Sequence, residues 1–352
     1  SPAADVGGFV IPLVCAFGIA RLTQSLPGDV VPFHWWMVMG VCIDVAHVYG
    51  TLFRTLLDSE AFAQNWALYV LAGPGCLLVS MLVNMLLGTR VGWSLLAYYA
   101  MYHFAKQPFG ILCLYKARTG ERGFADHQWD YWTCMAGAAL PILREHASRP
   151  EHHLRWFDAG EDFLFRLPMR LQGPLFAVNV LVPLLWLSRL LKQFLVDGKP
   201  PNMGKLWIMA MQYTIWFVSV ESDHQLIGLA FHNVCHGIAS MVLVHHVVRR
   251  RLLAWRKQRP ETMSWTDHLN EAAISSPLSY VGLMVGLAMV EEFCWEFFVN
   301  QEHLPNYGYR LPDFTETQRA AATSFLMLPQ LSHYFLDGFI WKMNLKNPGL
   351  RE

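Results

Sequence analysis

A chain of 352 residues with 27 Lys and Arg against 27 Asp and Glu has a formal net charge of zero, which offers nothing to nucleic acid or to a strongly acidic partner. Only 15 % of the residues are charged and 54 % are hydrophobic, whereas soluble domains carry about 25 % charge; an ordinary water-soluble domain is excluded and the lipid bilayer is the expected partner. The seven cysteines are scattered, almost all in apolar runs and without CxxC spacing, so they indicate neither a disulfide framework nor a cysteine zinc site.

A helix needs about 20 apolar residues to cross a bilayer. In chain order such runs fall at 9–26, 32–53, 67–87, 91–115, 175–196, 205–221, 225–248, 278–299 and 320–342, with 128–143 as a shorter tenth candidate. The stretch Ser1 to Gly8 brings no basic residues before its apolar run, so no signal peptide is expected. The pattern predicts an all-α fold, a polytopic transmembrane helical bundle of about 8–10 spans, in a single integral-membrane domain over 1–352. A polar insert at about 144–174 holds His146, His152, His153, Asp158, Glu161 and Asp162 amid Trp156, Phe157, Phe163, Leu164 and Phe165, the alternation of an interfacial helix. Basic residues gather at Arg249 to Arg251 with Arg256, Lys257 and Arg259, at Lys116, Arg118 and Arg122, and at Lys342, Lys346 and Arg351. If 128–143 crosses, all three clusters fall on the cytoplasmic side and both termini with them. A bacterial inner membrane is the expected location.

Five of the fifteen histidines lie inside these spans: His47, His103, His232, His236 and His333. Most have a polar companion one helical turn away, as in Asp44/His47, His103/Gln107, His232/His236 and His333/Asp337. Ionisable groups at membrane depth are costly and face the bundle interior, where they mark a functional site. His232 and His236, four apart on a helix, would share a face about 5–6 Å apart at Cβ, with Gly228 and Gly237 allowing close helix approach. Pro329 is expected to kink the helix just before His333. Imidazoles converging from several helices build metal centres, so these five histidines are the candidate metal ligands. Neutral imidazoles suit Fe, Cu or Zn, and a mostly-histidine site with few carboxylates favours mononuclear Fe(II); counting Asp44 and Asp337 as ligands would allow two irons. Asp44, Asp337 and Tyr102 are the candidate catalytic groups, and Tyr98, Tyr102, Tyr334 and Trp341 could line a tunnel for an apolar substrate. His245 and His246 stay outside this set. Glu291, Glu292 and Glu296, late in their span, could serve as carboxylate ligands, but so near a helix end they are expected at the interface or paired with a loop Arg.

The order of these motifs resembles the Brp/Blh-type membrane family that cleaves β-carotene to retinal. His47 and His103 match that family's first two histidines, His232 and His236 its HxxxH pair, and His333 with Asp337 and Pro329 its last span. The early motif departs from the family in that Asp44 precedes His47 and Val48 follows it, and the second reads His103-Phe104-Ala105. The resemblance implies Fe(II), dioxygen as co-substrate and a long, apolar, polyene-like substrate; an electron donor is left open.

Three other readings compete. A membrane di-iron desaturase or hydroxylase resembles its relatives through HxxxH and HxxHH clusters, of which this chain has one HxxxH, the pair His245-His246 and no HxxHH. A haem-binding electron-transfer bundle would use His232 and His246, fourteen apart, but leaves His47, His103 and His333 without a role. A proton-coupled transporter would relay protons through Asp44, Asp337 and the histidines, and such proteins often carry internal repeats, which are not visible here.

Overall fold

The computed structural model describes residues 5–26, 31–148, 164–222, 224–258, 263–301 and 312–342. Residues 149–163, which hold most of the expected polar insert from His152 to Phe163, lie outside the described residues, as do Arg259, Lys346 and Arg351. Among the described residues the regular structure is helical throughout, with no strand, as the apolar runs require.

The helices in chain order are α1 (Val6–Thr23), α2 (Phe33–Arg54), α3 (Ser59–Leu86), α4 (Thr89–Thr119), α5 (Phe124–His146), α6 (Met169–Leu195), α7 (Met203–Glu221), α8 (Gln225–Lys257), α9 (Trp265–Ile274), α10 (Pro277–Asn300), α11 (Glu316–Leu326) and α12 (Leu328–Ile340). Five of them, α1, α2, α3, α6 and α8, are long and apolar enough to cross a membrane; a sixth span exists if α9 and α10, bent by 105° at their junction, count together. The expected runs at 91–115, 128–143 and 205–221 also fold as helices (α4, α5 and α7) but carry more polar residues, among them Lys106, Asp130 and Gln212. Long apolar side chains stand exposed along α3 (Leu71, Leu78, Val79, Leu86) and α6 (Leu181, Leu184, Leu191, Leu195). Water does not tolerate contiguous surface of that kind, and a bilayer does.

Local chemistry sets the helix starts. Asp58 caps α3 by accepting from the Ala61 N–H at 2.7 Å, and Asn202 caps α7 through the Lys205 N–H at 3.2 Å. Ser264, Ser276 and Thr315 open α9, α10 and α11 with reciprocal capping boxes. Pro329 sits in the first turn of α12 rather than kinking a continuous span: the 320–342 run breaks at Met327 into α11 and α12. A proline in the first turn gives up an N–H that has no partner there anyway.

The chain divides into two compact units. The first is built from Ser1–Cys15, Pro32–Leu96 and Asn233–Glu352, and the second from Ala16–Val31 and Ala97–His232. In the first, Val41, Ala46 and Phe53 of α2 pack with Met241, Val244 and Val248 of α8, Ile274 of α9 and Tyr280, Met284 and Ala288 of α10. Ala61, Tyr69 and Ala72 of α3 pack with Leu336 and Ile340 of α12. In the second, Met101, Phe104 and Ala105 of α4 pack with Ala138 of α5 and Trp216 of α7.

Candidate metal centre

Three elements of the first unit converge on one point. α2 supplies His47, α8 supplies His236 and α12 supplies His333, with side chains buried to 2 %, 7 % and 2 % exposure. Each offers one ring nitrogen, and these nitrogens lie within 4.8 Å of one another. The Nε2 atoms of His47 and His333 are 3.2 Å apart. The His47 ring stands edge-on to both partners, with centroids 4.7 Å from His236 and 4.9 Å from His333.

That spacing is informative. At a metal–nitrogen distance of about 2.05 Å, two tetrahedral ligands sit about 3.3 Å apart and two cis octahedral ligands about 2.9 Å. The observed 3.2 Å falls between the two, so these imidazoles fit a first-row metal ion with little rearrangement. The same distance also accommodates an imidazole N–H donating to the other ring, and the groups behind the rings bear on which occurs. His333 Nδ1 lies 2.7 Å from Thr51 Oγ1 and 3.6 Å from Asp337 Oδ1, and His47 Nδ1 lies 3.5 Å from Asp44 Oδ1. Histidine ligands to metals characteristically donate their other N–H to a carboxylate, a carbonyl or a similar acceptor, which turns the remaining lone pair toward the ion. Asp44 and Asp337 stand behind these two rings.

Backbone irregularity brings the rings together. α2 runs as a π-helix over Trp36–Val45, returns to α over Ala46–Val48 and tightens to 3-10 geometry over Tyr49–Arg54, so His47 sits where the winding changes. α8 is a π-helix over Ala230–Val234, ending two residues before His236. Such departures concentrate at functional sites. Gly237 lets the two helices touch: a Cβ there would meet Ile43 Cγ2 at 2.8 Å and the Ile43 carbonyl oxygen at 3.0 Å.

His232 lies in the π-helical turn Ala230–Val234 and His236 in the α-helical stretch that follows it. His232 belongs to the second unit, where its Nδ1 lies 3.1 Å from the Gly228 carbonyl oxygen and its ring packs edge-on against Trp216 with centroids 4.4 Å apart. His103, also of the second unit, is buried on α4. Tyr102 is 47 % exposed and lies parallel to Tyr99 with centroids 6.5 Å apart.

The acidic run on α10 corrects a further expectation. Glu291 is buried, and among the described residues no hydrogen bond or ion pair joins it to an arginine. It accepts hydrogen bonds from Tyr49 Oη at 2.7 Å, Gln330 Nε2 at 3.0 Å and Trp295 Nε1 at 3.2 Å, while Glu292 accepts from Trp36 Nε1 at 3.2 Å. Sequence reasoning overlooked Tyr49, Thr51 and Arg54. The signal was present: His47, Thr51 and Arg54 follow one another at four and three residues, a polar stripe in an otherwise apolar span.

Fold and site together describe a helical membrane protein with a buried histidine cluster that could hold a metal ion. The chain matches no family model, no curated protein and no solved structure.

Proposed function

We propose that the protein is a membrane-embedded non-haem iron oxygenase in which His47, His236 and His333 hold Fe(II), with dioxygen as co-substrate and a long apolar molecule of isoprenoid, carotenoid or lipid type as substrate. The observation that carries this reading is the facing Nε2 pair of His47 and His333 with His236 beside them, inside an apolar bundle. Polar side chains are rarely gathered at such depth without a function. Neutral imidazole donors suit iron, copper and zinc. The motif order shared with the carotene-cleaving family favours iron and an apolar substrate.

Bound there, Fe(II) would supply the dioxygen chemistry that side chains alone do not provide. The chain's own part is to hold three imidazoles in one orientation, to keep bulk water out with apolar walls and to admit substrate from the bilayer. Asp44 and Asp337 stand behind the rings, so in this proposal they orient ligands, and one iron is favoured over two. His103 and His232 are carried as further candidate ligands from the sequence pattern. The basic clusters support an inner-membrane protein with its termini on the cytoplasmic side.

A second reading, proton-coupled transport, draws on three carboxylates in the helices of the first unit: Asp44, Glu291 and Asp337. Metal analysis and a visible spectrum of detergent-purified protein separate the two. Iron near one per chain without a Soret band is the expected result. Absence of metal after purification without chelator would favour the relay, and a Soret band would make the protein a cytochrome.

A further inference from the structure

α9 carries its polarity reversed. Its buried residues are Asp267 and Asn270, both 0 % exposed, and Ile274, whereas Trp265 is 75 % and Leu269 49 % exposed. A helix that borders water turns its apolar stripe to the protein and its polar side chains outward. Here the polar side is held inside. Ser59 donates to Asp267 from its backbone N–H at 3.1 Å and from its hydroxyl at 2.5 Å, and Asn270 Nδ2 donates to the Phe53 and Leu57 carbonyl oxygens at 3.1 Å each. These bonds seat α9 on the corner between α2 and α3. The exposed residues Trp265, Leu269 and Ala272 follow at four and three residues and so form one outward stripe, and Leu278, just past the end of α9, is exposed as well.

Two observations say what that stripe meets. α9 and α10 are bent by 105° at their junction, so where α10 crosses the bilayer α9 lies near the membrane plane. The charge beside it is positive. α8 packs against α9 and has no acidic residue. Both acids of α9 are engaged, Asp267 with Ser59 and Ser264, and Glu271 with Arg256. Arg251 turns inward to Asp58 and Glu60 at the α2–α3 corner, while Arg249, Arg250 and Lys257 stand exposed. Arg249 and Arg256, seven apart, share a face of α8, and Arg256 reaches α9.

We propose that α9 is an in-plane membrane anchor: Trp265 and Leu269 insert at the boundary between headgroups and acyl chains, and Arg249 and Arg250 hold the phosphate of an anionic phospholipid beside them. An apolar face with Trp and Leu sinks to that depth, and an indole favours it because its N–H stays near water. The arginines answer an anionic headgroup by charge and by their forked donors. The surface is independent of the histidine cluster.

The test uses full-length protein in nanodiscs of phosphatidylglycerol and phosphatidylcholine in equal parts. Native mass spectrometry of the released protein counts the lipids that stay bound. Wild type should retain phosphatidylglycerol preferentially. Arg249→Gln/Arg250→Gln should lower that preference by about fivefold for each arginine, the effect of one basic side chain at an anionic surface. Arg249→Gln alone should lose about fivefold and decides the matter if the double variant does not fold. Lys192→Gln/Lys199→Gln removes the same charge from exposed positions in the second unit and should leave the preference unchanged. Trp265→Ser/Leu269→Ser should melt like wild type in detergent, because both side chains stand clear of the protein, yet its α9 amides should exchange several-fold faster in nanodiscs. No preference in wild type, an unchanged preference in the arginine variants, or an equal loss in the lysine control would overturn the lipid site. Unchanged exchange in the serine variant would overturn the anchor. A dimer that the serine variant converts to monomer, with lipid retention untouched, would assign the stripe to a second copy of the chain instead.

Discussion

Both units bury polar side chains among apolar helices, and they satisfy them in opposite ways. In the second unit Asp130 is 1 % exposed and faces two buried lysines: Lys116 pairs with it directly, and Lys205 Nζ lies 3.5 Å from the same oxygen. Trp186 Nε1 donates to its other oxygen at 2.8 Å, and Lys205 continues to Glu121 at 2.9 Å. Opposite charges alternate, every oxygen of Asp130 has a donor, and the network closes on itself. In the first unit three side chains of one kind face each other, each able to donate only one proton when neutral, and the carboxylates stand behind them. A network of alternating charge satisfies itself, whereas a cluster of imidazoles has the donor set that could hold a metal ion. By that difference the first unit carries the candidate site and the second a structural brace.

The largest expected effects break the two networks and read out different things. His47→Ala, His236→Ala and His333→Ala should each lower metal retention by more than about 100-fold, beyond the range seen for supporting partners, while the variants elute and melt as folded protein. The same replacement at His103 and at His232 tests the other two ligand candidates drawn from the sequence. If His232→Ala keeps its metal and His236→Ala loses it, the two members of the HxxxH pair have different roles. Asp130→Ala should do the reverse: strand two buried lysines at a cost of about 3–5 kcal/mol, seen as a lower melting temperature, with metal content per folded molecule unchanged. Loss of metal in Asp130→Ala at full stability would erase the contrast between the units.

How far the sequence spoke for itself follows from the same particulars. Apolar run length depends only on composition, so the helical class and most helix positions were legible. The pairs Asp44/His47 and His333/Asp337 were legible as well, because both residues of each pair sit on one element within a turn. The grouping of His47, His236 and His333 could only be suspected, since helix rotation is fixed by packing between segments almost 300 residues apart. The π-helical stretches at Trp36–Val45 and Ala230–Val234 have no local composition signal. Glu291 was misplaced at an interface because two of its three donors, Tyr49 and Gln330, come from distant segments.

A smaller change sharpens the account of how the first unit assembles its site. Gly237→Ala places a methyl 3.0 Å from the Ile43 carbonyl oxygen, a backbone atom that a rotamer change cannot move. α8 and α2 must separate there by a few tenths of an ångström. Overpacking of this kind costs about 1–3 kcal/mol, and here it falls next to His236 and one turn before His47. The expected result is a modest loss of thermal stability with a measurable loss of metal affinity. Gly286→Ala serves as the control, because a Cβ there meets nothing within 4 Å. Equal effects from the two substitutions would mean that the close approach is not what sets the site.

The smallest expected effect belongs to the brace and depends on pH. Glu121 lies in the loop between α4 and α5, outside the spans. Burial raises its pKa, but hydrogen bonds from Lys205 and Asn202, the Lys205 charge and the Thr119 hydroxyl outweigh that and hold it below the ordinary carboxylate value. A carboxylate whose folded pKa is depressed binds fewer protons than its unfolded counterpart in the intervening range. Its stabilising contribution is therefore complete above the unfolded pKa of about 4.3 and fades as pH falls through the folded value. Thermal stability measured from neutral pH down to the acid limit should show this loss in wild type. Glu121→Gln should be less stable at neutral pH and should lose less on acidification, so the two curves converge at low pH. Because Glu121 sits at the solvent side of the network and Asp130 within it, the difference should remain a small fraction of that caused by Asp130→Ala. Curves that run parallel from neutral to acid would show that the Lys205 pairing with Glu121 does not contribute to holding the second unit together.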